Sequence, residues 1–278
     1  MNSLFNHWEK SDQNVMQYIC NDVINTELDI KNKKESNDFC GVIIDGRDRN
    51  WNTIEDYCAI KSFKLFSEYN YPIFVFLHNN ANFLNNEFSL LDSWRLNLIE
   101  ISQLNSLDKY TNFMIKELFF RIPEKFENIL IFQSDSGLIK SGWEKFILDN
   151  KIDLIGAHFQ HQPSVEVLYN NQWQNILNFR TQFCNGGFTF RKASLCRKVS
   201  KEFGFLNHRE FSAPNNKKCQ EDLWFSYFLY GIGLAKIPTL EQACFFSRDP
   251  IDLNTYLNKK SYGFHRPVGI NKFLCTQH

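Results

Sequence analysis

The first half of the chain alternates between short apolar runs and longer amphipathic stretches. A short apolar run bounded by polar residues is typical of a strand that is buried on both faces of a sheet. We therefore predict a central strand at Ile129–Phe132 and further strands in the same sheet. These further strands are Phe39–Ile44, Pro72–Leu77, a weaker one at Trp94–Ile101, Ile152–Ala157 and Phe188–Arg191.

Between the apolar runs, apolar residues recur at the spacing of one helix face. The predicted helices run from Asn52 or Thr53 to about Tyr69, from Ser106 or Asp108 to about Arg121, and over Lys140–Asn150, Lys192–Phe203 and Leu223–Tyr230. This alternation indicates an α/β fold, with a mostly parallel central sheet and helices on both faces. We expect a late strand at Ala243–Ser247 and long connections over His158–Arg180 and Phe205–Lys218.

The N-terminal residues stand apart from this alternation. Residues 8–28 have helical apolar spacing, and the polar run Lys31–Asp38 follows them. We predict an accessory helix and linker over residues 1–38 and a single domain over residues 39–278.

Composition narrows the classes of function. Of the 278 residues, 43% are hydrophobic and 22% are charged, which suits a chain with a buried core. Lys plus Arg equals Asp plus Glu at 31 each, so there is no general attraction to nucleic acid.

The N-terminus lacks a signal-peptide pattern, and no apolar run is long enough to span a membrane. The eight cysteines include no C-x-x-C pair, which argues against a zinc cluster. We expect a cytoplasmic protein with free thiols.

Polar residues follow the central strand at the place where α/β sheets bind ligands. Gln133, Ser134 and Asp135 come directly after Phe132. Ligands of open α/β sheets bind outside the carboxyl ends of the strands, and a carboxylate there can hold a hard cation. The alternative is an Asx-turn, in which Asp135 bonds its own backbone.

A charged loop follows the first predicted strand. It contains Asp45, Arg47 and Arg49, with Gly46 permitting a tight turn. Guanidinium groups match phosphate oxygens in a bidentate way, so the two arginines are candidates for binding a diphosphate. A solvated loop with internal ion pairs is the alternative.

Three further polar motifs occur later in the chain. Gly186 and Gly187 precede a strand, where glycine lets another backbone or a ligand approach closely; a hairpin turn is the alternative. Glu221 and Asp222 begin a helix, where capping alone could explain them. Because neighbouring helix residues diverge by about 100°, we expect only one of the two to point squarely into a pocket. His265 is a lone histidine, which is more often structural than a ligand.

Taken in order, these motifs resemble those of a known fold family. The chain is similar to the GT-A fold of nucleotide-sugar glycosyltransferases over roughly Phe39 to Val268. It resembles more closely a poorly characterised family of that fold with the motifs Phe-Gln-Thr-Asp-Ser, Asn-Gly-Gly-Phe, Glu-Asp-x-Trp-Phe and Gly-Phe-His. The corresponding stretches here are Phe132–Ser136, Asn185–Phe188, Glu221–Phe225 and Gly263–His265.

The resemblance implies a role for each matched residue. Asp135 corresponds to the last Asp of the Asp-x-Asp motif and His265 to a C-terminal His, which together hold Mn²⁺ or Mg²⁺. Asp222, or else Glu221, corresponds to the base of inverting members, and we choose Asp222. The nucleotide pocket is implied at Asp45, Arg47, Arg49, Gln133 and Ser134, and the acceptor or donor-sugar wall at Asn185, Gly186 and Gly187.

The implied function is transfer of a sugar from a nucleotide-diphosphate donor, with a UDP-sugar favoured, to a glycan or other hydroxyl acceptor, with inversion. One residue departs from the family pattern, because Gln133 replaces the first Asp of Asp-x-Asp and brings no charge. Gln133 favours one alternative, a non-catalytic nucleotide- or sugar-binding module. The other alternative, a nucleotidyltransferase, usually has a Gly-rich phosphate loop, and Gly41–Arg49 is poor in glycine.

Overall fold

The computed structural model describes residues 18–19, 21–22, 38–49, 51, 56–78, 95–158, 165–169, 172–175, 184–206, 208–210 and 219–266. Of the predicted accessory helix, only 18–19 and 21–22 fall within these ranges, and they are helical. Asp22 accepts hydrogen bonds from Lys61 Nζ at 2.7 Å and from the Tyr256 hydroxyl at 2.6 Å. The rest of that helix, the linker up to residue 37 and the predicted caps Asn52 and Thr53 lie outside the described residues. The domain boundary at residue 38 stays a prediction.

A six-stranded sheet forms the centre of the protein. Its strands are β1 (Phe39–Asp45), β2 (Ile73–Leu77), β3 (Leu96–Glu100), β4 (Asn128–Phe132), β6 (Leu154–His158) and β9 (Cys184–Lys192). They lie side by side in the order β3-β2-β1-β4-β9-β6. β1, β2, β3 and β4 are parallel, and β9 runs antiparallel between β4 and β6. The predicted α/β class with a mostly parallel sheet is confirmed, and Ile129–Phe132 belongs to a fully buried central strand.

Helices cover both faces of this sheet. They are α1 (Asp56–Glu68), α2 (Leu107–Phe113), α3 (Phe119–Arg121), α4 (Trp143–Asn150), α5 (Ala193–Phe203), α6 (Glu221–Ser226), α7 (Leu240–Phe246) and α8 (Leu253–Leu257). Single π-helical turns follow α2 at Met114–Leu118 and α6 at Tyr227–Gly231. Within the described ranges, no helix is long and apolar enough to cross a bilayer.

The strand period of two divides the core into two apolar clusters. In β4, Ile129 and Ile131 face a cluster that contains Trp224, whereas Leu130 and Phe132 face the opposite cluster. Because successive side chains of β4 enter different clusters, the continuous apolar run is explained by burial on both faces.

The described residues also form two three-stranded sheets. The first joins β5 (Ser136–Leu138), β12 (Gly263–His265) and β11 (Ser247–Arg248). The second joins β7 (Val165–Tyr169), β8 (Gln172–Asn175) and β10 (His208–Glu210). The two predicted long connections therefore contain strands. The β-branched and aromatic residues of Val165–Tyr169 fit a strand, and its partner at β10 is too far along the chain to be inferred from local pattern.

The predicted late strand at Ala243–Ser247 is wrong, since α7 extends to Phe246. Thr239 Oγ1 accepts from the backbone N–H of Gln242, and Gln242 Oε1 accepts from that of Thr239. This capping box starts a helix and outweighs the strand preference of Phe245 and Phe246.

Candidate functional site

A cavity of about 1070 Å³ lies at the carboxyl ends of β1 and β4. Every residue that the sequence analysis proposed for the site lines it: Asp45, Arg47, Arg49, Gln133, Ser134, Asp135, Asn185, Gly186, Gly187, Glu221, Asp222 and His265. Further parts of its wall were not predicted from the sequence, among them Gln103–Leu107, Tyr110, Gln220 and Arg266. Motifs separated by up to 220 residues in the sequence, from Asp45 to His265, thus meet at one edge of the sheet.

Strand pairing brings Asp135 and His265 together. β5 follows Asp135 directly and pairs antiparallel with β12, so that Ser136 lies opposite His265. The backbone N–H of Arg266 donates to the carbonyl of Asp135 at 3.0 Å. As a result, His265 Nε2 lies 3.6 Å from Asp135 Oδ1.

The other ring nitrogen of His265 faces a carboxylate that the sequence analysis missed. His265 Nδ1 lies 3.3 Å from Oδ2 of Asp249. Burial alone would raise the pKa of Asp249, but the hydrogen bond with His265 and the charge of Arg266 lower it. An ionised Asp249 can only accept, so Nδ1 carries the hydrogen and a neutral ring has its lone pair at Nε2.

This pair fits a divalent cation on the chemistry of its donors. Asp135 supplies a carboxylate oxygen, and His265 supplies a ring nitrogen oriented by a second carboxylate, as metal-bound histidines commonly are. In the part of the chain that the structure describes, no group of three or more His, Cys, Asp or Glu residues could hold a metal. A cation here would therefore need further ligands, which substrate phosphates commonly provide for Mg²⁺.

The charged loop after β1 is held by ion pairs. Asp45 accepts from Arg47 Nε at 2.8 Å and from Arg49 Nε at 2.7 Å. Arg49 also binds Asp56, with Nη2 to Oδ1 at 2.6 Å. Burial would raise the pKa of Asp45, but its bond to Arg47 and the charge of Arg49 lower it. The ion pairs of the alternative interpretation are present, but Asp45 is buried and the loop lines the cavity.

The loop between β4 and β5 is hydrogen-bonded both to the charged loop after β1, which contains Arg47 and Arg49, and to β9. Ser134 Oγ accepts from Arg47 Nη2 at 3.0 Å, and the Gln133 backbone N–H donates to the Gly187 carbonyl at 2.9 Å. The Gln133 side-chain amide donates to the Tyr110 hydroxyl at 3.3 Å. Gln133 thus holds α2 to the site and brings no charge to the cavity.

Gly186 and Gly187 lie inside β9, so the hairpin-turn alternative is wrong. Between Asn185 and Thr189, β9 bulges away from β6 while Phe188 stays paired with β4. A Cβ on Gly186 would lie 2.2 Å from Glu221 Oε1, and one on Gly187 would lie 2.3 Å from His265 Nε2. The close approach expected at these glycines is made by two side chains of the site.

Gly187→Ala should lower the free energy of unfolding by about 1–3 kcal/mol, the usual cost of overpacking. The added methyl group and the His265 ring cannot both keep their positions at 2.3 Å. Chemical denaturation of Gly187→Ala, His265→Ala and the double variant measures the coupling between the two positions. Strict additivity of the two single changes would contradict this contact.

Both acidic residues at the start of α6 line the cavity. Glu221 Oε2 accepts from Nη2 of Arg191 at 2.7 Å, in a pair with side-chain exposures of 5% and 0%. Asp222 accepts from the backbone N–H groups of Gly186 at 3.2 Å and Leu223 at 2.8 Å.

The two carboxylates differ in what neutralises them. Arg191 offsets the charge of Glu221, whereas Asp222 is held by neutral N–H groups. Burial, followed by the neighbouring charge of Glu221, raises the pKa of Asp222 to about 7. A carboxylate with a pKa near neutrality can accept a proton in a reaction at physiological pH.

Comparison with known proteins gives one family match and low structural similarity. A family model described as protein of unknown function (DUF5672) matches residues 93–265. The structure is similar to core-mannan synthase A (CmsA/Ktr4) from Aspergillus fumigatus in its Mn/GDP form, at 7% identity and TM-score 0.39, over 74% of this chain and 88% of that one. It is similar to mouse xyloside xylosyltransferase 1 in its apo form, at 9% identity and TM-score 0.45, over 82% and 97% of the two chains. No curated protein matches the chain.

Proposed function

The chain belongs to the family described as protein of unknown function (DUF5672), and we propose that it is a metal-dependent, inverting glycosyltransferase of the GT-A fold. In this proposal a sugar moves from a nucleotide-diphosphate donor, with a UDP-sugar favoured, to a hydroxyl group of a glycan or another acceptor. Asp222 is the base, and Asp135 and His265 hold Mn²⁺ or Mg²⁺.

The observation that carries the proposal is the pair of contacts at Gly186 and Gly187. The Gly186 N–H binds the Asp222 carboxylate, and Gly187 packs against the His265 ring. Adjacent Cα atoms are about 3.8 Å apart. A ligand lying against these glycines would therefore have a candidate base near one end and the His265–Asp135 pair near the other.

Charge compensation explains why a cation suits this cavity. The arginines that line it are already paired with carboxylates: Arg47 and Arg49 with Asp45, and Arg266 with Asp249. A nucleoside diphosphate would thus add negative charge to a region with no excess of arginine charge. A divalent cation at Asp135 and His265 would supply the positive charge against the departing β-phosphate.

Asp222 would act on the acceptor. Its carboxylate takes the proton of the acceptor hydroxyl while that oxygen forms a bond to C1 of the sugar. The bond from C1 to the β-phosphate oxygen breaks, and its electron pair leaves with the nucleoside diphosphate. One displacement of this kind inverts the anomeric centre, and the proton remains on Asp222 until it passes to solvent.

Asn185, Gly186 and Gly187 would form the wall against which the sugar lies. The Asn185 side chain is fixed at both ends, since Nδ2 donates to Asp249 at 2.8 Å and Oδ1 accepts from the Gly187 N–H at 2.7 Å. Asp45, Arg47, Arg49, Gln133 and Ser134 would surround the nucleotide. A rigid wall and a fixed loop favour one orientation of the donor.

A panel of nucleotide sugars, tested with and without Mn²⁺, examines this function. We expect one donor to raise the melting temperature in the presence of Mn²⁺ and to release its nucleoside diphosphate when an acceptor is added. Asp135→Ala should lose the Mn²⁺-dependent part of nucleotide binding and keep the native fold, since Asp135 is partly exposed and its side chain is not in the core.

Three results would separate the alternatives. If a donor binds in a Mn²⁺-dependent way but no acceptor causes release of its nucleoside diphosphate, the result would favour a non-catalytic sugar- or nucleotide-binding module. Release of pyrophosphate from a nucleoside triphosphate would favour a nucleotidyltransferase. Unchanged Mn²⁺-dependent nucleotide binding in Asp135→Ala would remove the cation from this site.

A further inference from the structure

Asp249 joins three residues of the cavity without being part of its wall. Its Oδ2 accepts from Asn185 Nδ2 at 2.8 Å and from Arg266 Nη2 at 2.8 Å, and lies 3.3 Å from His265 Nδ1. Oδ1 accepts from Arg266 Nε at 2.9 Å. The side chain is 5% exposed, and Asp249 is absent from the residues that line the cavity.

The contact with Nδ1 decides whether Nε2, the other ring nitrogen of His265, carries a hydrogen or a lone pair. A neutral imidazole carries one hydrogen, and an ionised carboxylate can only accept it. With the hydrogen at Nδ1, the lone pair lies at Nε2, the atom 3.6 Å from Asp135 Oδ1. The same carboxylate fixes the Asn185 amide, whose oxygen binds the Gly187 N–H.

We propose that Asp249 is a positioning residue that sets the ring tautomer of His265 for cation binding and, through Asn185, fixes the donor-sugar wall to the same carboxylate. This inference rests on the proposed function, because it assigns Asp249 a role toward the cation and the donor of that site. Asp249 acts through His265 and Asn185 and touches neither ligand itself.

Asp249→Ala tests the inference by removing the carboxylate from Nδ1. Without that acceptor, the ring hydrogen moves to Nε2, which lies 3.6 Å from the Asp135 carboxylate. There it faces Asp135 and blocks cation binding. We expect Mn²⁺ affinity in the presence of UDP, followed by electron paramagnetic resonance, to fall by roughly 10–100-fold, the usual effect of removing such a partner.

Asp252→Asn is the matched control. It removes the same charge three residues away, at an exposed position where Asp252 Oδ1 accepts from the Thr255 N–H at the start of α8. Asparagine caps a helix about as well as aspartate, so the fold should be kept. We expect Mn²⁺ affinity equal to that of the wild type, and an equal loss in both variants would overturn the inference.

A second readout needs no cation. In metal-free protein, at a pH where its two ¹⁵N shifts show a neutral ring, His265 should carry hydrogen at Nδ1 in the wild type and at Nε2 in Asp249→Ala. The same tautomer in both would overturn the positioning role. A wild type without Mn²⁺ binding would instead overturn the proposed cation site, so the two failures are distinguishable.

Loss of folding in Asp249→Ala would be examined with Asp249→Glu, which keeps the charge and displaces the carboxylate. Circular dichroism melting identifies which variants are folded. A folded Asp249→Glu with reduced Mn²⁺ affinity supports the inference, and one with wild-type affinity overturns it. Unfolding of both variants would assign Asp249 to stability alone and would also overturn it.

Discussion

Asp222→Asn is expected to lower the rate of sugar transfer roughly 10²-fold or more, the lower end of the usual contribution of a general base. Asparagine has nearly the shape of aspartate but cannot take the acceptor proton. Donor affinity should stay within about a factor of two or three of the wild-type value. Among the described residues, the hydrogen bonds of Asp222 go to the backbone of Gly186 and Leu223, and not to Asp135, His265 or the arginines of the loop after β1. Transfer rate and donor affinity are measured on the same preparation.

The pH dependence of the wild type gives an independent check. In the proposed reaction Asp222 accepts the proton only when it is ionised, and its pKa is raised to about 7, so transfer should decline as pH falls below about 7. The folded state also holds this proton more tightly than the unfolded state, whose value is near 3.8. The contribution of Asp222 to stability therefore decreases as pH rises between these two values, and Asp222→Asn should lack that decrease.

Two effects on stability oppose each other in this variant. Removing the charge relieves burial and repulsion by Glu221, but asparagine has only one oxygen to accept from Gly186 and Leu223. We expect a melting temperature close to that of the wild type at neutral pH. Full activity in Asp222→Asn would exclude it as the base. A loss of stability with little loss of activity would support the capping role considered from the sequence.

Glu221→Gln is expected to lower the free energy of unfolding by about 3–5 kcal/mol, which is the usual cost of removing one partner of a buried ion pair. Arg191 is fully buried, and its Nε and Nη1 have no hydrogen-bond partner among the described residues. Its guanidinium lies 4.8 Å from the centre of the Phe225 ring, which offsets only part of the charge. Glutamine would leave the Arg191 guanidinium without its hydrogen-bonded carboxylate.

Glu117→Gln provides the matched control for this measurement. Glu117 pairs with Arg121 at 2.7 Å, but both side chains are more than 40% exposed. The same substitution should cost about 1 kcal/mol or less there. Urea denaturation of both variants checks the difference, and equal costs would contradict the argument from burial.

Glu221→Gln should also move the pH dependence of transfer. Glu221 is one of the causes that raise the pKa of Asp222, after burial itself. Without that charge the base ionises more easily, and the decline in rate shifts to lower pH. The free energy of unfolding thus tests the pairing of Glu221 with Arg191, and the pH dependence of transfer tests the effect of Glu221 on Asp222.

The sheet and the candidate residues were accessible from the sequence because they depend on local signals. The run Ile129–Phe132 required burial on both faces, and the polar residues after it had to lie at the edge of the sheet. Glycines at 186 and 187 signalled close approach. The approaching groups could not be identified, because they come from α6 and β12, whose positions depend on the whole fold.

What the sequence did not reveal depends on pairings between distant segments. Asp249 follows Arg248 in a short polar stretch with no motif, and its role appears only once β11 pairs with β12. Arg191 reads as the polar end of an alternating strand, yet it is fully buried because Glu221 meets it from α6. No period in the sequence encodes either pairing.

The pairing of β5 with β12 has a consequence for synthesis of the protein. Chains emerge from the ribosome N-terminus first, and domains generally fold as units. All six strands of the central sheet are complete once residue 192 has been made, but Asp135 meets its histidine only after residue 265 has followed. The candidate site is thus completed by the last strand of the described chain, and the proposed transferase cannot act before β12 has left the ribosome.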